Sequence, residues 1–239
     1  MIKECKWIVR EPADRAKVEK LSAEVGIDRV LADLLVQRGV ETFDQARSFF
    51  RPSLDDLHDP FLMQDMDAAV ERLRSAITSG EKILVYGDYD VDGTTAVALM
   101  YSFIKRFTQA VDFYIPDRYD EGYGISYKGV DWAFEGGFGL IIALDCGIKA
   151  TDKAEYARSK GVDMIICDHH LPGETLPAVV AVLDPKREDC HYPFDDLCGC
   201  GVGFKLVQAY SRRYGVPFES LIPLLDLLVV SIASDLVTM

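Results

Sequence analysis

The distribution of apolar positions changes character near Lys82. Beyond it, short continuous apolar runs at 83–86, 111–115, 140–144, 164–167 and 179–183 alternate with longer stretches of helical spacing, such as Val97, Met100, Ile104 and Phe107. Runs of that length suit strands buried on both faces, and the stretches between them are long enough to carry the chain back to a parallel neighbour. The pattern predicts an α/β fold built on a doubly wound, mainly parallel sheet.

Ahead of Lys82 the texture is helical. Residues 13–25 and 28–37 carry helical apolar spacing, and Thr42 followed by Gln45 offers a capping box for a third helix. Pro52 and Asp59-Pro60 punctuate the chain, and a further helix is expected over 65–79, with Val70, Leu73 and Ile77 on one face and Gly80 as its stop. The expected organisation is a small helical leader over 1–62 and the α/β domain over 63–239.

Composition narrows the class. With 239 residues, 49% of them apolar and 27% charged, the chain can bury a substantial core, which excludes a disordered or fibrous protein. The first residues show no basic-then-apolar signal, and the longest apolar stretch, 221–233, is broken by Pro223 and Asp226. A cytoplasmic protein with no membrane segment is expected. Six cysteines, none spaced as C-x-x-C, read as structural thiols, with Cys146 and Cys167 as small buried hydrophobes. The net charge of −13 argues against a protein that coats nucleic acid, because phosphate binding is driven by Lys and Arg. It leaves room for an enzyme that reaches nucleic acid through metal ions.

Three apolar runs lead straight into acidic residues: Tyr86-Gly-Asp88, Leu144-Asp145 and Cys167-Asp168-His169-His170. Ligands of open parallel sheets sit outside the carboxyl ends of the strands, so these residues should converge in one crevice. Asp88, Asp90 and Asp92 alternate along the first loop as in the opening of a calcium-binding EF-hand. The twelfth position is Leu99 rather than Glu, however, and a strand rather than a helix precedes the loop. One of these carboxylates is explained by a helix N-cap; three packed together repel one another unless a cation offsets them.

Oxygen donors of this kind suit magnesium or manganese. Of the two adjacent histidines, one imidazole is suited to a metal and the other to a phosphate. Asp235 falls in 227–236, apolar nearly all round and therefore expected as a buried helix, where its carboxylate needs a cap, an Arg or a metal. Arg118 suits a phosphate if it faces the crevice. Gly199, Gly201 and Gly203 open another helical stretch, either for close packing on the sheet or as an anion-binding helix start.

In their order along the chain, Asp88-Tyr-Asp90-Val-Asp92-Gly, Arg118 with Glu121-Gly-Tyr-Gly124, Leu144-Asp145-Cys-Gly and Asp168-His169-His170 resemble the motif set of the DHH phosphoesterase superfamily. The Gly-Asp-Tyr-Asp-x-Asp-Gly form resembles its single-strand-DNA exonuclease branch. Leu57-His-Asp-Pro-Phe-Leu-Met63, Gly201-Val-Gly-Phe-Lys205-Leu and Ala233-Ser-Asp235-Leu-Val extend the resemblance over nearly the whole chain. Tyr86 stands where the related manganese pyrophosphatase branch has a histidine ligand, which favours the nuclease branch.

The resemblance implies two divalent ions, Mn2+ or Mg2+. Asp90 and Asp92 would contribute one ligand each, Asp145 would bridge, and His169 and Asp235 would complete the second site. Asp88 would be a close neighbour, Asp168 would orient the metal-bound histidine, and His170 would contact the scissile phosphate, with Arg118 as a further substrate contact. The implied activity is metal-dependent hydrolysis of phosphodiester bonds in single-stranded DNA from the 5′ end, releasing 5′-mononucleotides in recombination and repair. Single-strand-binding protein and repair helicases are the implied protein partners. The chain stops four residues after Asp235, where such proteins continue into a second substrate-binding domain and a nucleic-acid-binding barrel, so a truncated chain is expected. The rival readings are a DHH phosphodiesterase of short oligonucleotides or cyclic dinucleotides, a non-catalytic DHH scaffold, and a simple metal-binding module.

Overall fold

A computed structural model describes residues 8–235, leaving Cys5 and the residues after Asp235 outside. The chain divides into two compact units, Met1–His58 and Asp59–Met239. In the first, Asp14 caps α1 (Arg15–Val25) and Asp28 caps α2 (Arg29–Val36) by accepting from first-turn amides. Thr42 and Gln45 close the expected capping box on α3 (Phe43–Phe50). Val18, Leu21, Ala32, Leu35, Val36 and Ala46 meet in a small core of their own.

The second unit runs α4 (Met66–Ser79), β1 (Lys82–Gly87), α5 (Val91–Ile104), β2 (Val111–Tyr114), α6 (Tyr127–Glu135), β3 (Phe138–Leu144), α7 (Thr151–Ser159), β4 (Asp163–Cys167), β5 (Ala181–Leu183), α8 (Gly199–Tyr214) and α9 (Leu225–Ser234). All five strands are parallel, in the order β2-β1-β3-β4-β5. Successive side chains point to opposite faces of a strand, and both faces are covered. Ile83, Val85, Leu140, Ile142, Leu144 and Leu183 join the core beneath α4, α5 and α8. Leu84, Tyr86, Ile141, Ala143 and Ile166 join the core on the opposite face, shared with α6 and α7. At the amino ends of the strands, Arg72 bonds Glu81 through both terminal nitrogens, at 2.7 and 2.8 Å, and Asp163 through Nε at 2.7 Å.

The chain leaves β1 to one side for β2 and later returns across β1 to place β3 on the other, so the strand order reverses between β1 and β3. That switch point is where doubly wound sheets open a crevice for ligands. Two expectations are corrected. The run at 111–115 is an edge strand with Asp112 and Phe113 exposed, since no strand covers its outer side. α9 is half-exposed rather than buried: Ser231 is wholly buried but Val229 is 64% exposed, because α9 packs mainly on α5 along one face. No helix among the described residues is long and apolar enough to cross a membrane.

Candidate metal centre

The loop leaving β1 sorts its three carboxylates into three environments. Asp90 is the N-cap of α5, exposed, and accepts from the Gly93 amide at 2.9 Å. Asp88 is buried, with Oδ1 3.3 Å from the Gly124 amide and Oδ2 without a hydrogen-bond partner. Gly93 makes the tight loop possible, since a Cβ there would lie 2.5 Å from the Asp88 carbonyl oxygen. Asp92, in the first turn of α5, points inward and accepts from the amides of Gly199 at 2.6 Å and Cys200 at 2.7 Å. The glycine-rich start of α8 is thus an anion-binding helix terminus whose anion is the chain's own Asp92.

At the end of β3, the Asp145 amide continues the ladder by donating to the Cys167 carbonyl at 2.8 Å, while its φ of 60° turns the residue into the left-handed region. Its side chain lies against the start of α8: a Cβ on Gly199 would sit 2.5 Å from Asp145 Cβ. Neither oxygen of this buried carboxylate has a hydrogen-bond partner. His169 Nε2 approaches Asp145 Oδ1 at 3.2 Å, Asp235 Oδ2 at 3.7 Å and Asp92 Oδ2 at 3.8 Å. Potential ligand atoms of Asp92, His169 and Asp235 lie within 4.8 Å of one another, as do those of Asp145, His169 and His170. Asp90 belongs to neither group.

His170 is held at both ring nitrogens. Nδ1 lies 2.7 Å from Asp168 Oδ1, and Nε2 lies 3.1 Å from the Tyr123 hydroxyl, which itself lies 3.4 Å from the Asp145 carbonyl. Asp168 therefore orients His170 and not, as expected, the ring of His169. It meets His169 only at the backbone amide, because the turn after β4 folds the second histidine back over the carboxylate. Arg118 is exposed and forms no ion pair among the described residues; it lies 5.3 Å above the ring of Tyr89, which packs edge-on against Tyr123. Tyr86 serves the same loop: its hydroxyl donates to the Gly124 carbonyl at 3.0 Å and accepts from the Ser126 amide at 3.1 Å, fixing the segment that carries Tyr123.

Burial, reinforced by the charges of Asp92, Asp90 and Asp168, pushes Asp145 up to about 10. Burial likewise raises Asp88. Asp168 is also buried, but the His170 ring and the amides of Ile148 and His169 hold it below the usual carboxylate range. Its hydrogen bond in turn raises His170. A carboxylate buried among like charges with both oxygens unpartnered is costly, and divalent cations resolve that cost. The orphaned oxygens of Asp145 and Asp235, which approach His169 Nε2 at 3.2 and 3.7 Å, are a donor set that fits such ions.

Some members of the centre carry little sequence signal. Tyr123 sits in the Gly-Tyr-Gly turn, and nothing in the turn's residues sets it apart from its neighbours. Ser231, whose hydroxyl bonds Asp92, is an ordinary helical serine whose one clue is its place a turn ahead of Asp235.

The comparisons with known proteins agree with this geometry. The family described as DHH family, N-terminal domain, matches residues 82–232. The single-stranded-DNA-specific exonuclease RecJ of Bacillus subtilis (strain 168) is 43% identical over 232 residues, 97% of this chain and 29% of that protein. RecJ of Escherichia coli (strain K12) is 36% identical over 185 residues, 73% of this chain and 32% of that protein. This chain thus spans about a third of the length of the curated relatives it matches. A crystal structure of exonuclease RecJ bound to manganese is similar with a TM-score of 0.66 and 31% identity, over 73% of this chain and 44% of that one. RecJ from Thermus thermophilus in complex with Mn2+ is similar with a TM-score of 0.74 and 25% identity, over 92% of this chain and 31% of that one. With the matched segment taking in all five strands and every acidic and histidine residue of the centre except Asp235, this chain belongs to the DHH family.

Proposed function

We propose that this chain is the metal-dependent phosphodiesterase part of a single-strand-DNA exonuclease, cutting from the 5′ end and releasing 5′-mononucleotides in recombination and repair. The observation that carries the reading is Asp145: buried, with neither oxygen partnered, 3.2 Å from an imidazole nitrogen and beside two further carboxylates. Similarity to RecJ exonucleases, including manganese-bound ones, supports the substrate and the metal. On this reading residues 63–239 form the hydrolase domain, and 1–62 are a helical leader. The protein acts on cytoplasmic DNA, with single-strand-binding protein and repair helicases as its protein partners.

Asp90, Asp92, Asp145, His169 and Asp235 would hold two Mn2+ or Mg2+ ions. Bound there, such ions supply Lewis-acid stabilisation of charge on phosphoryl oxygens and activation of water. The chain's own groups do the rest. Asp168 fixes the His170 ring at Nδ1, so that Nε2 can exchange the Tyr123 hydroxyl for a non-bridging phosphate oxygen and donate a hydrogen bond there as negative charge grows. Asp88 and the amides at the start of α8 hold the loop and Asp92 in place, so the ligands need no rearrangement. Arg118 meets a phosphate flanking the scissile one.

Calorimetric titration with Mn2+, followed by incubation with single-stranded DNA and product analysis, tests the reading. Two bound ions and release of 5′-mononucleotides are expected, and Asp145→Ala should lose both binding and cleavage. Cleavage confined to di- or trinucleotides would reassign the chain to the short-oligonucleotide phosphodiesterases. Failure to bind Mn2+ would overturn the centre itself.

A further inference from the structure

A cavity of about 270 Å³ opens beside His170, between the Tyr123–Ile125 segment and the turn that joins β3 to α7. Gly147, Ile148, Lys149, Ala150 and Lys153 line it together with Asp168 and His170. Its position follows from the backbone. Gly147 adopts φ of 113°, and a Cβ there would lie 2.9 Å from Ile125 Cδ1, so only glycine lets the turn fold in and leave this hollow.

Two lysines bring positive charge to the cavity, whose one lining carboxylate, Asp168, is already engaged by His170 Nδ1 and the Ile148 amide. Lys149 is exposed and forms no ion pair or hydrogen bond among the described residues, in a chain whose net charge is −13. Lys153 projects from the first turn of α7, half-buried, 2.9 Å from Asp152 and 5.3 Å above the Tyr127 ring. The N-cap position of α7 is Ala150, which offers no side-chain acceptor, so no side chain caps the start of that helix, where Ala150 and Lys153 line the cavity. An unpaired lysine, a second lysine and an uncapped helix start around one hollow next to a histidine suit an anion, while Ile125, Ile148 and Ala150 give the hollow an apolar side that suits a sugar or base.

We infer that this cavity is a subsite for one nucleotide of the DNA strand next to the scissile phosphate, with Lys149 and Lys153 meeting its phosphate. The inference rests on the function proposed above and adds where the strand runs. Arg118, linked to His170 through Tyr89 and Tyr123, marks one flank of the reacting phosphate, and Lys149 with Lys153 marks another. The strand passes between two basic contacts across an acidic, metal-holding centre.

The test uses a 3′-fluorescein oligothymidylate with the intact chain, followed by anisotropy in Ca2+ over a series of salt concentrations and by initial rates in Mn2+. Lys149→Ala is expected to weaken binding on the order of three- to tenfold and to lower the salt slope by about 0.7, one phosphate contact on a single strand. Lys149→Glu should weaken it further, Lys149→Arg should restore it, and Lys153→Ala should act in the same direction as Lys149→Ala. In turnover, KM should rise with kcat unchanged, and Mn2+ affinity should stay at the wild-type value. A wild-type chain that binds and cleaves the oligothymidylate while the lysine variants keep its affinity and salt slope would overturn the subsite alone. A wild-type chain that does not bind the oligothymidylate at all would overturn the subsite together with the proposed function.

Discussion

The Ser231 hydroxyl donates to Asp92 Oδ1 across 2.5 Å, joining α9 to the first turn of α5 over 139 positions of sequence. Cys198 Sγ lies 3.0 Å from the same hydroxyl oxygen, and the amides of Gly199 and Cys200 bond the same carboxylate. Three helices therefore meet on one buried acid. One turn beyond Ser231, Asp235 brings Oδ2 to 3.7 Å from His169 Nε2, so the contact also sets how far the end of α9 reaches into the centre.

Ser231→Ala removes this donor while leaving the apolar packing of α9 intact. Its expected effect on Mn2+ affinity is a loss of about 10- to 100-fold, as is usual when a partner that orients a ligand is removed. The loss of one buried hydrogen bond to a charged group should also lower stability by about 1.5–3 kcal/mol. Calorimetry with Mn2+ and denaturant melts measure the two separately. Unchanged affinity in a folded variant would mean that packing alone positions Asp92 and Asp235.

Much of the sheet is legible in the sequence because burial on both faces leaves continuous apolar runs, as at 140–144 and 164–167, and because capping is local chemistry, as at Thr42 and Gln45. The convergence of Asp88, Asp145 and His169 follows from strand ends alone. What the residues do not disclose is pairing through space. The resemblance makes Asp168 the support of His169, yet a turn of two residues hands it to His170. The start of α8 reads as either packing or anion binding, and it does both: Gly203 approaches Leu144 while Gly199 bonds Asp92. α9 reads as apolar all round, and periodicity cannot say that only the face with Ser231 is covered.

Gly199→Ala and Gly201→Ala, two positions apart on α8, should behave oppositely. A methyl on Gly199 would lie 2.5 Å from Asp145 Cβ and 2.6 Å from its Oδ1, so the carboxylate or the helix start must move. A loss of about 1–3 kcal/mol is expected, together with weakened Mn2+ binding. A methyl on Gly201 meets nothing nearer than Cys198 Sγ at 3.4 Å, an ordinary contact, and should be neutral or stabilising by up to about 1 kcal/mol through helix propensity. Denaturant melts of the two variants decide it, and equal destabilisation would mean that the start of α8 is not pressed against Asp145.

Asp184, just past β5, is wholly buried, accepts from the Lys186 amide at 2.8 Å and has no partner at Oδ2. Burial pushes it up to about 7 from an ordinary 3.8. A carboxyl raised in the folded state holds its proton more tightly there than in the unfolded chain. Its contribution to stability is therefore full below about pH 3.8 and is lost as pH rises through about 7. Asp184→Asn keeps the acceptor and has no charge to bury. It should match the wild type near pH 4 and exceed it by a margin that grows up to pH 7 and then levels off, at about 8–16 °C in Tm. Melts over that range test this; a margin that shrinks as pH rises would reverse the assignment.

Tyr123 and His170 separate metal holding from phosphate handling. His170→Ala removes a ring whose Nδ1 is engaged by Asp168 and which belongs to the Asp145, His169 and His170 group but not to the Asp92, His169 and Asp235 group. It should leave Mn2+ affinity nearly intact and lower kcat by about 100-fold or more, the scale of losing one donor to developing charge. Tyr123→Phe keeps the ring against Tyr89 but deletes the hydroxyl 3.1 Å from His170 Nε2 and 3.4 Å from the Asp145 carbonyl. The histidine then remains anchored at Nδ1 alone and samples a wider range of orientations. A smaller fall in kcat, about tenfold, is expected with KM close to wild type, and adding Tyr123→Phe to His170→Ala should cost little more, since the hydroxyl acts through the ring. Full additivity in that double variant would show that Tyr123 reaches the substrate by itself. Loss of Mn2+ binding in His170→Ala would make His170 a ligand and move the phosphate contact to another side chain.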